Sequence, residues 1–128
     1  MRDLEKPGRS PAHGKYGMVA TSQAMATATG LDILRRGGNA MDAAVAACAV
    51  QCVVEPESTG IGGDNFCLYA PGGSIKDMIA FNGSGRAPEA ATAAWYRNKG
   101  IKTIERQTPH AVIVPGVIDA WETLVRDH

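Results

Sequence analysis

From Ala43 to Val54 the chain reads AAVAACAVQCVV, and Gln51 is the only polar residue in it. Asn39 precedes the run as an N-cap. Asp42, three residues on, meets the free N–H groups of the first turn, so NAMDAAVAACAVQCVV predicts a helix over 40–54. A helix apolar on all sides is expected to be buried on all sides. Its residues are mostly Ala, Val and Cys, so whatever covers it must approach closely. The expected architecture is a layered α/β domain with this helix against a sheet, not on a surface. Asp42 and Gln51 interrupt the run, which is shorter than the roughly 20 residues of a membrane span.

The 128 residues amount to about one ordinary domain. A hydrophobic content of 45% is enough for a core. Thirteen basic residues cancel thirteen acidic ones, which leaves no electrostatic footprint for nucleic acid or an anionic membrane. The N-terminal stretch MRDLEKPGRSPAHGKYGMVAT has no apolar core of a secretory signal. Three cysteines, Cys48, Cys52 and Cys67, are an odd number. Without a signal they imply reduced thiols and a cytoplasmic location.

Along the chain, residues 1–16 are polar and hold Pro7, Gly8, Pro11 and Gly14, which suits an extended lead before a domain over 17–128. GMVAT (17–21) reads as a short strand. SQAMATATGLDILRRGG reads as a helix from a Ser22 cap to a Gly37-Gly38 stop, with Met25, Leu31 and Leu34 on its apolar side. Arg35 and Arg36 sit at the negative end of its dipole, and Gly30 allows close packing at some cost in helix propensity. After the apolar helix, Glu55-Pro56 is a stop and STGIGGDN a glycine-rich bend. FCLYA (66–70) and SIKDMIAF (74–81) read as strands joined by a PGG turn (71–73). A short helix is expected around 89–98, a strand at AVIVPG (111–116), and a last helix over VIDAWETLVRDH.

GIGGD (60–64) has the composition of a phosphate loop but the wrong context. Such loops run from strand to helix, whereas this one runs from helix to strand, and Asp64 would repel phosphate. Glycines that permit positive φ and close backbone approach are the expected reason for it. Cys48 and Cys52 share a helix face but lack the further ligands a zinc ion needs, so they read as packing residues and no metal or cofactor is expected. His13, His110 and His128 are isolated. Glu55, Glu57 and Asp64 read as a solvated acidic rim, and Ser22, Ser58, Thr59 and Ser84 as cap or loop hydroxyls. No nucleophile with its base is visible.

FNGSGRAP (81–88) holds a lone arginine. Arg86 follows two glycines, Gly83 and Gly85, whose turn lets N–H groups converge on a bound oxygen. Two readings of it stand: a planar, two-point grip on a carboxylate, or a cap on the carbonyls of its own loop.

Taken together, GMVATSQAMATATGLDILRRGGNAMDAAVAACAVQCVVEPESTGIGGDNF, the following hairpin, GRAP and VIVPGVIDAW resemble the N-terminal part of the large subunit of the gamma-glutamyltransferase (gamma-glutamyltranspeptidase) family. The resemblance runs from about Gly17 onward, and GGNAMDAAVAA followed by VEP-S-GIGG-F is its most specific part. It implies part of an N-terminal-nucleophile hydrolase fold, an αββα four-layer sandwich of the α/β (α+β) class. It also implies a proenzyme that cuts itself into large and small subunits. A threonine at the new N-terminus of the small subunit, with its own amine as base, takes a gamma-glutamyl acyl group and passes it to water or an amino acid. The expected partners are a small acidic amide, the rest of the large subunit and the threonine-bearing small subunit. No catalytic residue is expected within these residues.

In typical transferases of the family, the loop reads Arg-Glu-x-Ala-Pro, and that arginine holds the substrate α-carboxylate. Here Ala87-Pro88 matches, Ser84 falls at the arginine position, Gly85 at the glutamate position, and Arg86 two residues later. The resemblance thus makes Arg86 and Ser84 the candidate substrate-binding residues. EPESTGIGGDNF with NGSGRAP is more similar to the cytoplasmic transferase-like branch, which includes amidohydrolases of oxamate and acylases of beta-lactam side chains. The competing expectation is a non-catalytic α/β module that binds a small carboxylate through Arg86.

Overall fold

The computed structural model describes residues 10–128. The expected lead over 1–16 lies outside the described residues up to residue 9. Residues 10–16 are exposed and carry no regular element.

Helix α1 spans Ala24–Arg35. Gln23, not Ser22, takes the N-cap position, and its side chain makes no cap bond. Ser22 is drawn elsewhere: its Oγ donates to Glu55. The C-terminal stop falls where the glycines place it. Gly37 adopts φ +92, its N–H donates to the Leu34 carbonyl, and the Gly38 N–H donates to Ile33. These are the paired bonds of a Schellman motif, which a side chain at Gly37 would strain.

Helix α2, Ala40–Val54, has a complete capping box. Asn39 Oδ1 accepts from the N–H groups of Met41 (2.7 Å) and Asp42 (3.0 Å). Asp42 Oδ2 accepts in return from the Asn39 N–H (2.9 Å). The helix packs along α1 and touches the last helix. Small residues are what the two helices bury: Ala26 and Gly30 on α1, Ala43 and Ala47 on α2 beside Met41. A Cβ on Gly30 would stand 2.9 Å from Val19 Cγ1 and 3.3 Å from the Ala43 carbonyl, so the close packing expected there is present. Met25, expected on the apolar side, is exposed.

Two expectations for α2 are corrected. Among the described residues it lies against helices rather than a sheet, and it is not buried all round, since Val53 is 77% exposed. The strand expected at 17–21 is also absent. The segment has no regular element and no ladder partner among the described residues.

Strands β1 (Phe66–Tyr69) and β2 (Ile79–Asn82) form an antiparallel pair with Phe66 opposite Asn82 and Tyr69 opposite Ile79. PGG is not the hairpin turn, and residues 74–78 are not strand. Gly72 and Gly73 both take positive φ (59 and 77). The chain curls through two 3-10 turns, Pro71–Gly73 and Ile75–Asp77, before pairing begins. Helix α3 spans Ala93–Asn98, with Thr92 Oγ1 accepting from the Trp95 N–H (3.2 Å).

Helix α4 spans Val117–Asp127 and buries Val117, Ala120 and Leu124, which share one side at helical spacing. The strand expected at 111–116 does not form. A ladder needs successive bonds to one neighbour, but Val114 donates to Arg86 and Gly116 to Gly63. The molecule is thus α/β (α+β), with its small core between α1, α2 and α4 and a hairpin beside it.

Candidate functional site

The loop that carries Ser84 and Arg86 leaves the end of β2 and is clamped between the glycine bend and the start of α4. Gly83 N–H donates to the Asn65 carbonyl (2.7 Å), which continues the hairpin past β2. Ser84 N–H donates to Asn82 Oδ1 (3.0 Å). Ser84 Oγ donates to Asp64 Oδ1 (2.9 Å), and the Gly85 N–H reaches the same oxygen (3.2 Å). The Arg86 carbonyl accepts from the Val114 N–H (2.9 Å).

Behind this loop, the Gly63 carbonyl accepts from the N–H groups of both Gly116 and Val117 (3.2 Å each). It thereby satisfies donors that a helix start otherwise leaves open. Contact is too close for side chains. A Cβ on Gly85 would lie 1.5 Å from the Val114 carbonyl oxygen, and one on Gly116 would lie 2.4 Å from the Gly83 carbonyl oxygen.

Several expectations change here. The loop's N–H groups of residues 83–85 do not converge on a vacant oxygen site, because Asn65, Asn82 and Asp64 already accept from them. Gly60, Gly62 and Gly63 have no positive φ, and open space surrounds Gly60 and Gly62. The bend serves instead to present the Gly63 carbonyl and the Asp64 carboxylate. Asp64 is exposed and Glu55 half-buried, which suits the expected acidic rim, but each carboxylate also accepts hydrogen bonds from a neighbouring segment. Glu55 accepts from Ser22 Oγ and from Gln51 Nε2 (3.1 Å), and the Ser22 bond, then Gln51, holds its carboxyl below the ordinary glutamate range.

The two candidate substrate-binding residues share the loop but differ in freedom. Ser84 is engaged through both its N–H and its hydroxyl. Arg86 is exposed, and among the described residues its guanidinium has no ion pair or side-chain hydrogen bond. It does not cap the loop carbonyls. The loop is held by its backbone and by Asp64, so the guanidinium is left to solvent. Asp64, expected only as part of an acidic rim, is the side chain that ties this loop to the glycine bend. Carrying the β1–β2 register two residues outward sets Asp64 opposite Ser84, but that register was not legible while PGG stood as the turn.

Elsewhere, His110 lies against Trp95 and Tyr96, at ring centroid distances of 5.7 and 5.6 Å. Burial pushes the Cys48 thiol up, with Cys52 and Cys67 adding to the shift. Among the described residues no group of three His, Cys, Asp or Glu side chains is placed to hold a metal ion.

The gamma-glutamyltranspeptidase family profile matches residues 26–128. The glutathione hydrolase proenzyme of Bacillus subtilis subsp. natto is 42% identical over 113 residues, covering 85% of this chain and 19% of that protein. The oxamate amidohydrolase proenzyme of Klebsiella pneumoniae is 38% identical over 112 residues, covering 87% and 20%. The solved gamma-glutamyltranspeptidase of Pseudomonas nitroreducens, complexed with L-DON, superposes with a TM-score of 0.76 at 28% identity, covering 91% of this chain and 35% of that one. The chain spans about a fifth of the length of these curated relatives.

Proposed function

The chain belongs to the gamma-glutamyltranspeptidase family, and from that premise we propose that it forms the N-terminal part of the large subunit of an acyl-transferring proenzyme. The substrate is a gamma-glutamyl compound or another small amide that carries a carboxylate. The nucleophile is an N-terminal threonine of the small subunit, outside these residues. Its hydroxyl adds to the amide carbonyl while its own amine takes the proton. The amine leaving group departs, and water or an amino acid then takes the acyl group.

This chain's part is recognition. The observation that carries the reading is the loop itself: a backbone braced at Gly83, Ser84, Gly85 and the Arg86 carbonyl, which presents an exposed Arg86 guanidinium, unpaired among the described residues, directly before Ala87-Pro88. A fixed fork of donors suits a carboxylate. Glutathione and oxamate, which appear in the names of two relatives, are both amides with a free carboxylate. Ser84 contributes by fixing the loop through Asp64, with its hydroxyl beside the guanidinium-bearing residue. The remainder of the large subunit and the small subunit are the partners of the exposed apolar surface. A cytoplasmic location is part of the reading, supported by the three free thiols. No helix among the described residues is long and apolar enough to cross a membrane.

The test is amide turnover by the complete protein. Release of ammonia or amine is measured from a gamma-glutamyl amide, from oxamate, and from analogues in which the carboxylate is replaced by a neutral group. The expected result is turnover of at least one acidic amide in strong preference to its neutral analogue. Saturable binding of the acidic amides without any release would instead support the non-catalytic module.

A further inference from the structure

We infer that Asp64 is a positioning residue that sets where the Arg86 guanidinium meets the substrate carboxylate. The inference rests on the proposed role of Arg86 and adds to it. One oxygen, Asp64 Oδ1, takes both the Ser84 hydroxyl (2.9 Å) and the Gly85 N–H (3.2 Å). These are the two residues immediately before Arg86. Among the described residues, every other bond that braces residues 83–86 comes from backbone or from Asn82, itself the last residue of β2. Asp64 is therefore, among the described residues, the side chain from outside the β2-to-loop segment that fixes this segment.

Its own place is secured on both sides. The Gly63 carbonyl is anchored on the first N–H groups of α4, and Asn65 pairs with Gly83 in both directions (N–H to carbonyl 3.4 and 2.7 Å). Asp64 thereby links α4 and the hairpin to the two residues that precede Arg86. An ionised acceptor makes the two bonds stronger than a neutral one would. It does so without pairing with Arg86, which has no ion pair among the described residues.

The same geometry gives Ser84 a role distinct from that of a substrate ligand. Its hydroxyl hydrogen is committed to Asp64, with the Gly85 carbonyl a longer alternative at 3.4 Å. Ser84 thus belongs with Asp64 in the brace, and the Arg86 side chain takes no part in it.

The experiment is a double-mutant cycle in the complete protein with Asp64→Ala and Arg86→Ala, read as the ratio of kcat/KM on an acidic amide to that on its neutral analogue. If Asp64 acts through Arg86, Asp64→Ala lowers that preference roughly tenfold, about the loss of one charge-assisted contact. It lowers the preference no further when Arg86 is already alanine. Asp64→Asn, whose carboxamide oxygen can still accept both bonds, restores most of the preference. It also serves as the folded comparison should the alanine variant melt early. An equal fall in both Arg86 backgrounds would overturn the inference and leave the Arg86 reading intact. An Arg86→Ala variant with undiminished preference would overturn both.

Discussion

Arg86 and Gly85 are adjacent, and each depends on what the other lacks: a long charged side chain, and none. Losing the guanidinium should remove about 1.5–3 kcal/mol of binding to an acidic amide, the range for a hydrogen bond to a charged group. That is roughly a ten- to hundredfold loss of affinity. Arg86→Lys should recover only part of it, because a point charge cannot reproduce the fork. Steady-state kinetics on acidic and neutral amides check this. An equal loss on both would reduce Arg86 to a structural part of the loop. Gly85→Ala acts on the backbone instead. Its Cβ would sit 1.5 Å from the Val114 carbonyl oxygen, so the loop must separate from residues 113–116. A cost of about 1–3 kcal/mol is expected for such overpacking. It should appear as a lower melting temperature and faster exchange of the Val114 amide, which donates to Arg86. An unchanged exchange rate would mean that the loop is not braced as described.

At the scale of elements, what could be read from the sequence divides along one line. Helix α2 was legible because its signals are local: the Asn39 cap, the reciprocal Asp42 and the apolar run broken only by Gln51 lie within one stretch of chain. The Gly37-Gly38 stop was legible for the same reason. The hairpin was legible in kind but not in register, because Gly72 and Gly73 use positive φ to start a 3-10 turn rather than to close a hairpin. Segments 17–21 and 111–116 have the composition of strands, but strand pairing is a property of neighbours, and each finds no ladder among the described residues. The bonds that Asp64 accepts were not legible, because their donors lie some twenty residues away, in the loop after β2.

Two predictions belong to this scale. Asn39→Ala should cost about 1 kcal/mol, the usual worth of an N-cap, measured by urea unfolding of the complete protein. Little change would show that α2 is held by packing alone. The tie between Ser22 and the end of α2 should be pH-dependent. Its hydrogen bonds lower the Glu55 pKa in the folded state. Its contribution is thus fully present above the ordinary glutamate pKa and is lost as pH falls through the lower folded value. Glu55→Gln should flatten that part of the pH–stability curve. An unchanged acid limb would show that other carboxylates cause it.

At the scale of the whole molecule, the core is small and the exposed apolar surface large. The buried hydrophobic residues are Ala26, Met41, Ala43, Ala47, Val117, Ala120 and Leu124. Phe66, Leu68 and Ile75 on and near the hairpin are 69–80% exposed, as is Val53 on α2 at 77%. On the proposed reading, such surface is covered by further layers of the complete protein. Residues 1–128 expressed alone should therefore lack a sharp near-UV circular dichroism spectrum and strong amide protection. A cooperative, well-protected monomer would contradict this. The proposal that the covering layers complete a self-cleaving acyl-transfer enzyme is tested most directly by intact mass and N-terminal sequencing of the purified complete protein. The account predicts two chains, the smaller beginning with threonine, and loss of the cleavage when that threonine is replaced. A single uncut chain that still turns over an acidic amide would contradict it.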